Sequence, residues 1–425
     1  MKTNKEKIAI IGGGISGIAT SVYLIEKGYK VDIYESKKNL GGRAGSINKD
    51  EKSIDIGQHV FLPSYKNFIE ILEKLSSTKY LSIGKKLKIV IQENSKKYHL
   101  KSNVSIYPLN LIFSVLNYKN LKFYERLKII FALYKLSKLD NHKSKISLES
   151  WLKKNNQNNE MIKKFWEIIC IPAFNSKLNK IPINHAINLF KTMIFNYKKN
   201  IGICFFKKPF SEILSENYRN YIKKNNSNLF LGEKIVNIHY SKKKYLLEGK
   251  NQNLKYDKVI LATNISNAIN LGGLNSKKIK LSTDGIINIY FWFDKKVIDE
   301  DFISFSNSKL EWIFSDNKFR SKNKEFRIVI SLSAVGNLIK LSNEKLISDY
   351  EKTLRKELNI SQKTKTIKSL LIRSPKATQT QTGYKDLNQK NKKIYYVGDW
   401  TIKDLPNTME TAVLSSKKLV EKYFK

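Results

Sequence analysis

The chain has 425 residues, of which 41% are hydrophobic, 11% aromatic and 27% charged; this excludes a disordered tail, a collagen-like fibre and a disulfide-stapled miniprotein. At roughly 150 residues per domain the length predicts two or three domains, each able to bury a core, and two cysteines, Cys170 and Cys204, fit a reducing compartment rather than a disulfide framework. The formal net charge is +41, but it is almost all lysine, with seven arginines in the whole chain. Readers of bases and phosphates lean on arginine forks, so no specific nucleic-acid partner is expected. A nonspecific pull toward an anionic membrane surface suits the charge better.

The β-branched run Lys7 to Ile11 predicts a buried parallel strand. Gly12-Gly13-Gly14-Ile15-Ser16-Gly17 follows, then Ile18, Ala19, Val22, Tyr23 and Leu24 at helical spacing, then Gly28 and a second strand, Tyr29 to Tyr34, closed by Glu35. The uncharged stretch Ile8 to Ile25 is long enough for a membrane span, yet its glycines suit a phosphate turn, and it lacks the layout of a signal peptide. A cytoplasmic protein is expected. In this dinucleotide fingerprint Gly12 permits the tight turn, Gly14 lets the backbone approach a pyrophosphate, and Gly17 lets helix and strand pack. The helix start offers free N–H groups to phosphate, and Glu35 can accept from a ribose diol while disfavouring a 2′-phosphate. Glu35 to Arg43 then runs into a second glycine turn, Gly41-Gly42-Arg43, where the arginine can neutralise a pyrophosphate.

On these motifs, residues 8–62 resemble the start of the flavin-dependent amine oxidase and phytoene desaturase superfamily. Asp55-Ile56-Gly57-Gln58-His59 is similar to the D-x-G-Q-H pattern of one branch, the hydroxysqualene dehydroxylases, also known as squalene-associated FAD-dependent desaturases. Ile394 to Trp400, ending Gly398-Asp399-Trp400, and Leu405 to Val413 resemble the family's closing GDW and LPATxEGA segments, with Asn407 and Thr411 in place of the usual Ala and Gly. By its own chemistry Asp399 is either an acceptor for ribityl or ribose hydroxyls or an N-terminal cap, and the helix after it can aim its N–H groups at the flavin's pyrimidine side. Glu233 to Ile238 and Asp257 to Thr263 are similar to the family's middle flavin segment, and read alone they are ordinary core strands. Arg373 to Thr378 resembles the stretch before the last flavin segment, and Pro172 to Asn175 the lead into the substrate pocket.

The resemblance implies an α/β fold: a glutathione-reductase-like FAD-binding Rossmann domain built from 1–65, 208–275 and 386–425, with an inserted α+β substrate domain from 66–207 and 276–385. It implies FAD contacts at Gly12, Gly14, Ile15, Ser16, Gly17, Glu35, Gly41, Gly42, Arg43, Gly57, Gln58, His59, Ile235, Gly398, Asp399, Thr408 and Met409. The first insertion reads as mainly helical. Within it Lys119 to Leu139 alternates apolar and basic residues, either as a packed core helix or as an interfacial helix that meets lipid at the inner face of the cytoplasmic membrane. The second carries strand-like runs at Gly285 to Phe293, Glu311 to Phe314 and Phe326 to Leu332.

No metal site, HExxH helix, nucleophile elbow or GK[ST] loop is present in the sequence. Of the histidines His59, His99, His142, His185 and His239, only His59 stands in a motif; it is either a general acid assisting hydroxyl loss or a structural neighbour of the cofactor. The resemblance implies a lipophilic C30 isoprenoid substrate of squalene or hopanoid biosynthesis. The implied reaction is reductive dehydroxylation of hydroxysqualene to squalene, with FAD reduced by NADPH or another donor. The alternatives are a carotenoid desaturase or amine oxidase, and a non-catalytic prenyl-binding escort.

Overall fold

The structure, a computed structural model, describes residues 6–49, 52–104, 106–140, 146–197, 202–249, 253–272, 280–315, 325–382, 387–388 and 393–424. His142, Arg320 and the expected domain joins at 275/276 and 385/386 lie outside the described residues. The opening strand, Ile8–Ile11, pairs in parallel with Val31–Glu35 on one side and Lys258–Leu261 on the other. Asn228–Leu231 and Ile394–Tyr396 extend the two flanks, giving a five-stranded parallel sheet. Both faces of the sheet are covered, which is why its central strand is apolar without alternation. Ile8 and Ile10 pack with helices Ile15–Glu26 and Met409–Tyr423, whereas Ala9 and Ile11 face the antiparallel meander Asn237–Ser241, Lys244–Glu248 and Asn253–Tyr256. A buried polar chain ties the flank together: Tyr256 Oη donates to Asp32 Oδ2 at 2.6 Å and bonds Tyr34 Oη at 2.6 Å, while Asn228 Nδ2 donates to Asp32 Oδ1 at 2.8 Å. Residues 233–236 form no strand; they are the link from Asn228–Leu231 into the meander.

A second, seven-stranded sheet runs Thr366–Thr382, Lys280–Phe293, Phe326–Leu332, Trp312–Ser315, Phe302–Phe305, Lys88–Glu93 and Lys96–Lys101. All its pairings are antiparallel except that of Phe302–Phe305 with Lys88–Glu93. The three expected strand runs of the second insertion are all in it. The first insertion is mainly helical, but it also gives the hairpin Lys88–Lys101, turned by Asn94 and Ser95 at φ 48° and 61°. The edge strand Thr366–Thr382 contains Pro375, which falls where the register slips around Asp284 and Ile286. A proline, lacking an N–H, is tolerated at such a bulge on an edge. Among the described residues no helix is long and apolar enough to cross a membrane.

Glu311 opens the strand Trp312–Ser315, and its Oε2 accepts from Ser333 N at 2.8 Å. Burial pushes its pKa up to about 7; the nearby Glu167 adds to the rise and the Ser333 amide opposes it. The folded chain therefore keeps a proton that the unfolded chain releases above about 4.5, so stability is greatest below that pH and is lost as the pH climbs toward 7. Glu311→Gln should remove this component. We expect the difference in unfolding free energy between wild type and variant to change by on the order of 2 kcal/mol between pH 4.5 and 7.5, measured by denaturant titration; a difference that does not vary with pH would refute the assignment.

Candidate active site

Between the two sheets lies a cavity of about 1000 Å³. Sixteen of the seventeen cofactor positions expected from sequence line it, together with Pro172, Ala173 and Asn175 and with Arg373 to Thr378. The exception is Gly17, which is structural: a Cβ there would stand 1.9 Å from the Gly12 carbonyl oxygen, so only glycine lets the helix meet the strand.

The first glycine turn is held by three backbone contacts. Gly12 N donates to Tyr34 O at 2.8 Å, Gly41 N donates to Gly13 O at 2.9 Å, and Gly14 pairs with Gly41 as an isolated parallel bridge. Gly41 and Gly42 adopt φ of 102° and 61°, which glycine reaches without strain, and a Cβ on Gly42 would lie 3.2 Å from Gly14 Cα. Gly14 itself faces open space, its nearest hypothetical Cβ contact being Gly42 Cα at 3.8 Å. Gly14 precedes the helix Ile15–Glu26, whose first-turn amides have no partners within the helix. The result is a concave, positively polarised backbone cradle, suited to a phosphate-bearing ligand.

Glu35 is buried beside that cradle. Its Oε2 accepts from Gly13 N at 2.7 Å and its Oε1 from Lys37 N at 2.8 Å and Ser36 Oγ at 3.1 Å, which leaves acceptor capacity on Oε2 for a ribose hydroxyl. Arg43 differs from expectation. Its Nη2 donates to both carboxylate oxygens of Asp399 at 2.7 Å and its Nη1 to Ala377 O at 2.9 Å, so its charge serves the junction of the two chain ends rather than standing ready for a pyrophosphate alone. Asp399 is 4% exposed and lines the cavity, so this pairing compensates a buried carboxylate. The last helix is capped by Thr408, whose Oγ1 accepts from Thr411 N, so Asp399 does not act as that cap.

The Asp55-x-Gly57-Gln58-His59 loop divides its labour. Asp55 is 1% exposed and lies outside the cavity wall; its Oδ1 accepts from Ser46 Oγ at 2.6 Å and Phe210 N at 2.8 Å, and its carbonyl from Tyr290 Oη at 2.6 Å. The acid thus pins the loop, and Gly57, Gln58 and His59 form the wall. His59 lies near Phe210, ring centroids 6.0 Å apart.

Two asparagines complete the site: Asn175, at the end of the Pro172 to Asn175 segment singled out from sequence, and Asn288, which no motif marked. Asn175 ends a helix at φ 47° and clamps it to the second sheet: its Nδ2 donates to Asp284 O and Thr378 Oγ1, and its Oδ1 accepts from Ala334 N. Asn288, 1% exposed, donates from Nδ2 to Ile56 O at 3.1 Å, while its Oδ1 accepts from no group among the described residues. Asn175 caps the helix Glu167–Phe174, whereas Asn288 lies within the strand Lys280–Phe293 and has no spacing signal; only the fold brings it to the cavity.

The cradle separates binding from folding. Gly14→Val should fold yet fill the space that a phosphate needs, so the purified variant should carry no flavin absorbance while its thermal midpoint stays near wild type. Gly17→Val should instead clash with the Gly12 carbonyl and lower the midpoint sharply or prevent soluble expression. A Gly14→Val protein retaining stoichiometric flavin would show that the cradle is not the phosphate site.

Residues 15–421 match the model of the flavin containing amine oxidoreductase family. The chain is 33% identical over 131 residues to zeta-carotene desaturase of Solanum lycopersicum, an alignment covering 30% of this chain and 22% of that one. It is 23% identical to 15-cis-phytoene desaturase of Synechococcus elongatus over 97% of this chain and 94% of that one. Among solved structures, an oxidoreductase from Methanosarcina mazei shares the fold with a TM-score of 0.75 at 17% identity, covering 98% of this chain and all of that one (100%). With the glycine cradle, the buried acid beside it and the cavity between two sheets, the chain belongs to the flavin containing amine oxidoreductase family and is an FAD-dependent oxidoreductase.

Proposed function

We propose that the enzyme removes the hydroxyl group of hydroxysqualene, giving squalene and water. The observation that carries this reading is the Asp55-to-His59 loop, whose D-x-G-Q-H pattern resembles that of the squalene branch and whose last three residues form the cavity wall. The cavity lining also includes Ile47, Ile56, Ala173, Ile286 and Ile372, apolar groups that suit a hydrocarbon chain better than an amine.

In the proposed reaction the allylic C–O bond breaks, the leaving hydroxyl takes a proton and departs as water, and the carbon receives a hydride. A flavin held at the Gly12 to Gly17 and Gly41 to Arg43 turns, once reduced by a nicotinamide or another two-electron donor, would be the source of that hydride. The chain's own groups do the rest. His59 holds the proton passed to the leaving oxygen, and Asn288 Oδ1 accepts a hydrogen bond from the substrate hydroxyl or from the water formed. The isoleucine wall keeps bulk water from the cationic carbon. Gly13 N–H fixes Glu35, Glu35 and the Ile15–Glu26 helix start orient the nucleotide, and Arg43 holds Asp399 in place.

The end-to-end likeness to 15-cis-phytoene desaturase favours a second reading, oxidative desaturation of a long isoprenoid. One assay separates the two. Flavin-loaded protein incubated with hydroxysqualene and a reductant should yield squalene by mass spectrometry, and with phytoene and an electron acceptor should show no new conjugated absorption. The opposite pair of results would overturn the assignment. His59→Gln should retain flavin and lower turnover by about a hundredfold; an unchanged rate would remove His59 from the mechanism.

A further inference from the structure

Helices Leu109–Leu116 and Phe123–Lys138 pack against each other and against the body through Val115, Ile129, Ala132 and Leu136, all at most 3% exposed. Their outer face is the reverse of what water selects. Of the thirteen large hydrophobic side chains exposed among the described residues, eight lie on this hairpin and its lead-in; Ile106, Phe123, Phe131 and Tyr134 are between 57% and 68% exposed. Scattered single exposures are ordinary, but a contiguous apolar face marks a docking site.

The face is also uniformly cationic. Residues 104–139 carry Lys119, Lys122, Arg126, Lys128, Lys135 and Lys138 against one acid, Glu125, which is buried and bonded to Lys122 N and Asn158 Nδ2. Each exposed aromatic of the helix Phe123–Lys138 has a cation over its ring: Arg126 over Phe123 at 5.4 Å, Lys128 over Tyr124 at 5.4 Å, Lys135 over Phe131 at 4.7 Å and Lys138 over Tyr134 at 5.7 Å. Rings that enter the headgroup layer while lysine stems reach back to phosphate are the arrangement of an in-plane interfacial helix. A second copy of the chain would set this cationic face against itself, in a protein of formal charge +41.

We propose that this hairpin docks the protein, without spanning, on a bilayer containing anionic lipid, whatever isoprenoid the cavity accepts. The test uses the full flavin-loaded chain, sedimented with vesicles of phosphatidylcholine alone or of equal parts phosphatidylcholine and phosphatidylglycerol. Binding should require phosphatidylglycerol and fall steeply by about 0.5 M salt. Leu127→Ser with Phe131→Ser should reduce the partition coefficient at least about tenfold, and Lys128→Gln or Lys135→Gln about fivefold each, with flavin content unchanged. The proposal fails if both sets of variants partition like wild type. It also fails if wild type is a dimer in solution that these substitutions dissociate, since the face would then be covered by a second copy.

Discussion

Gly14 and Gly41 touch backbone to backbone, with the Gly41 amide donating to the Gly13 carbonyl, and the rest of the site is arranged around that contact. A side chain on Gly41 or Gly42 would crowd the Gly45 or Gly14 backbone, so the second turn is confined to glycine at both positions. The contact holds the Ile15–Glu26 helix start open on one side and presents Arg43 on the other. Arg43 then reaches Asp399, on a segment 356 residues later, and the cavity closes around that pair. A charge relation that spans the chain is thus imposed by a local steric one.

The fingerprint was legible because its physics is local. A β-branched run, glycines at fixed spacing and an acid at a strand end demand the same geometry wherever they occur. The second sheet was only partly legible. Gly285 to Phe293 and Phe326 to Leu332 are apolar enough to read as strands, whereas Thr366–Thr382 carries Lys, Arg, Gln and a proline. Its place at the edge, with Pro375 in a bulge, is a tertiary fact that propensity does not encode. The Lys88–Lys101 hairpin did leave a trace, Asn94-Ser95 after the β-branched run Ile89-Val90-Ile91, and the surrounding lysines masked it.

Within the site, residue types announced themselves but partners did not. Asp55 belongs to a recognisable motif, yet its carboxylate is spent on Ser46 and the Phe210 amide, a positioning task that no spacing reveals. Arg43 was legible as a cation near phosphate, not as the partner of Asp399. Asn175 was legible only as part of a segment leading to the pocket and Asn288 not at all; the importance of both comes from burial with defined partners at the seam between the sheets. The helix Phe123–Lys138 shows the limit most plainly, because periodicity identifies an amphipathic helix but not which of its faces turns inward.

The Arg43–Asp399 pair has a consequence for the order of events during biosynthesis. One half of the nucleotide pocket, Gly12 to His59, is synthesised more than 300 residues before the other, Gly398 to Met409. A nascent chain can assemble Ile8–Ile11 on Val31–Glu35 early, but Lys258–Leu261 and Ile394–Tyr396 reach that sheet only after the substrate-side strands have been made. A prosthetic group held by both halves therefore has to wait until Ile394 to Met409 have been added and have docked on Lys258–Leu261.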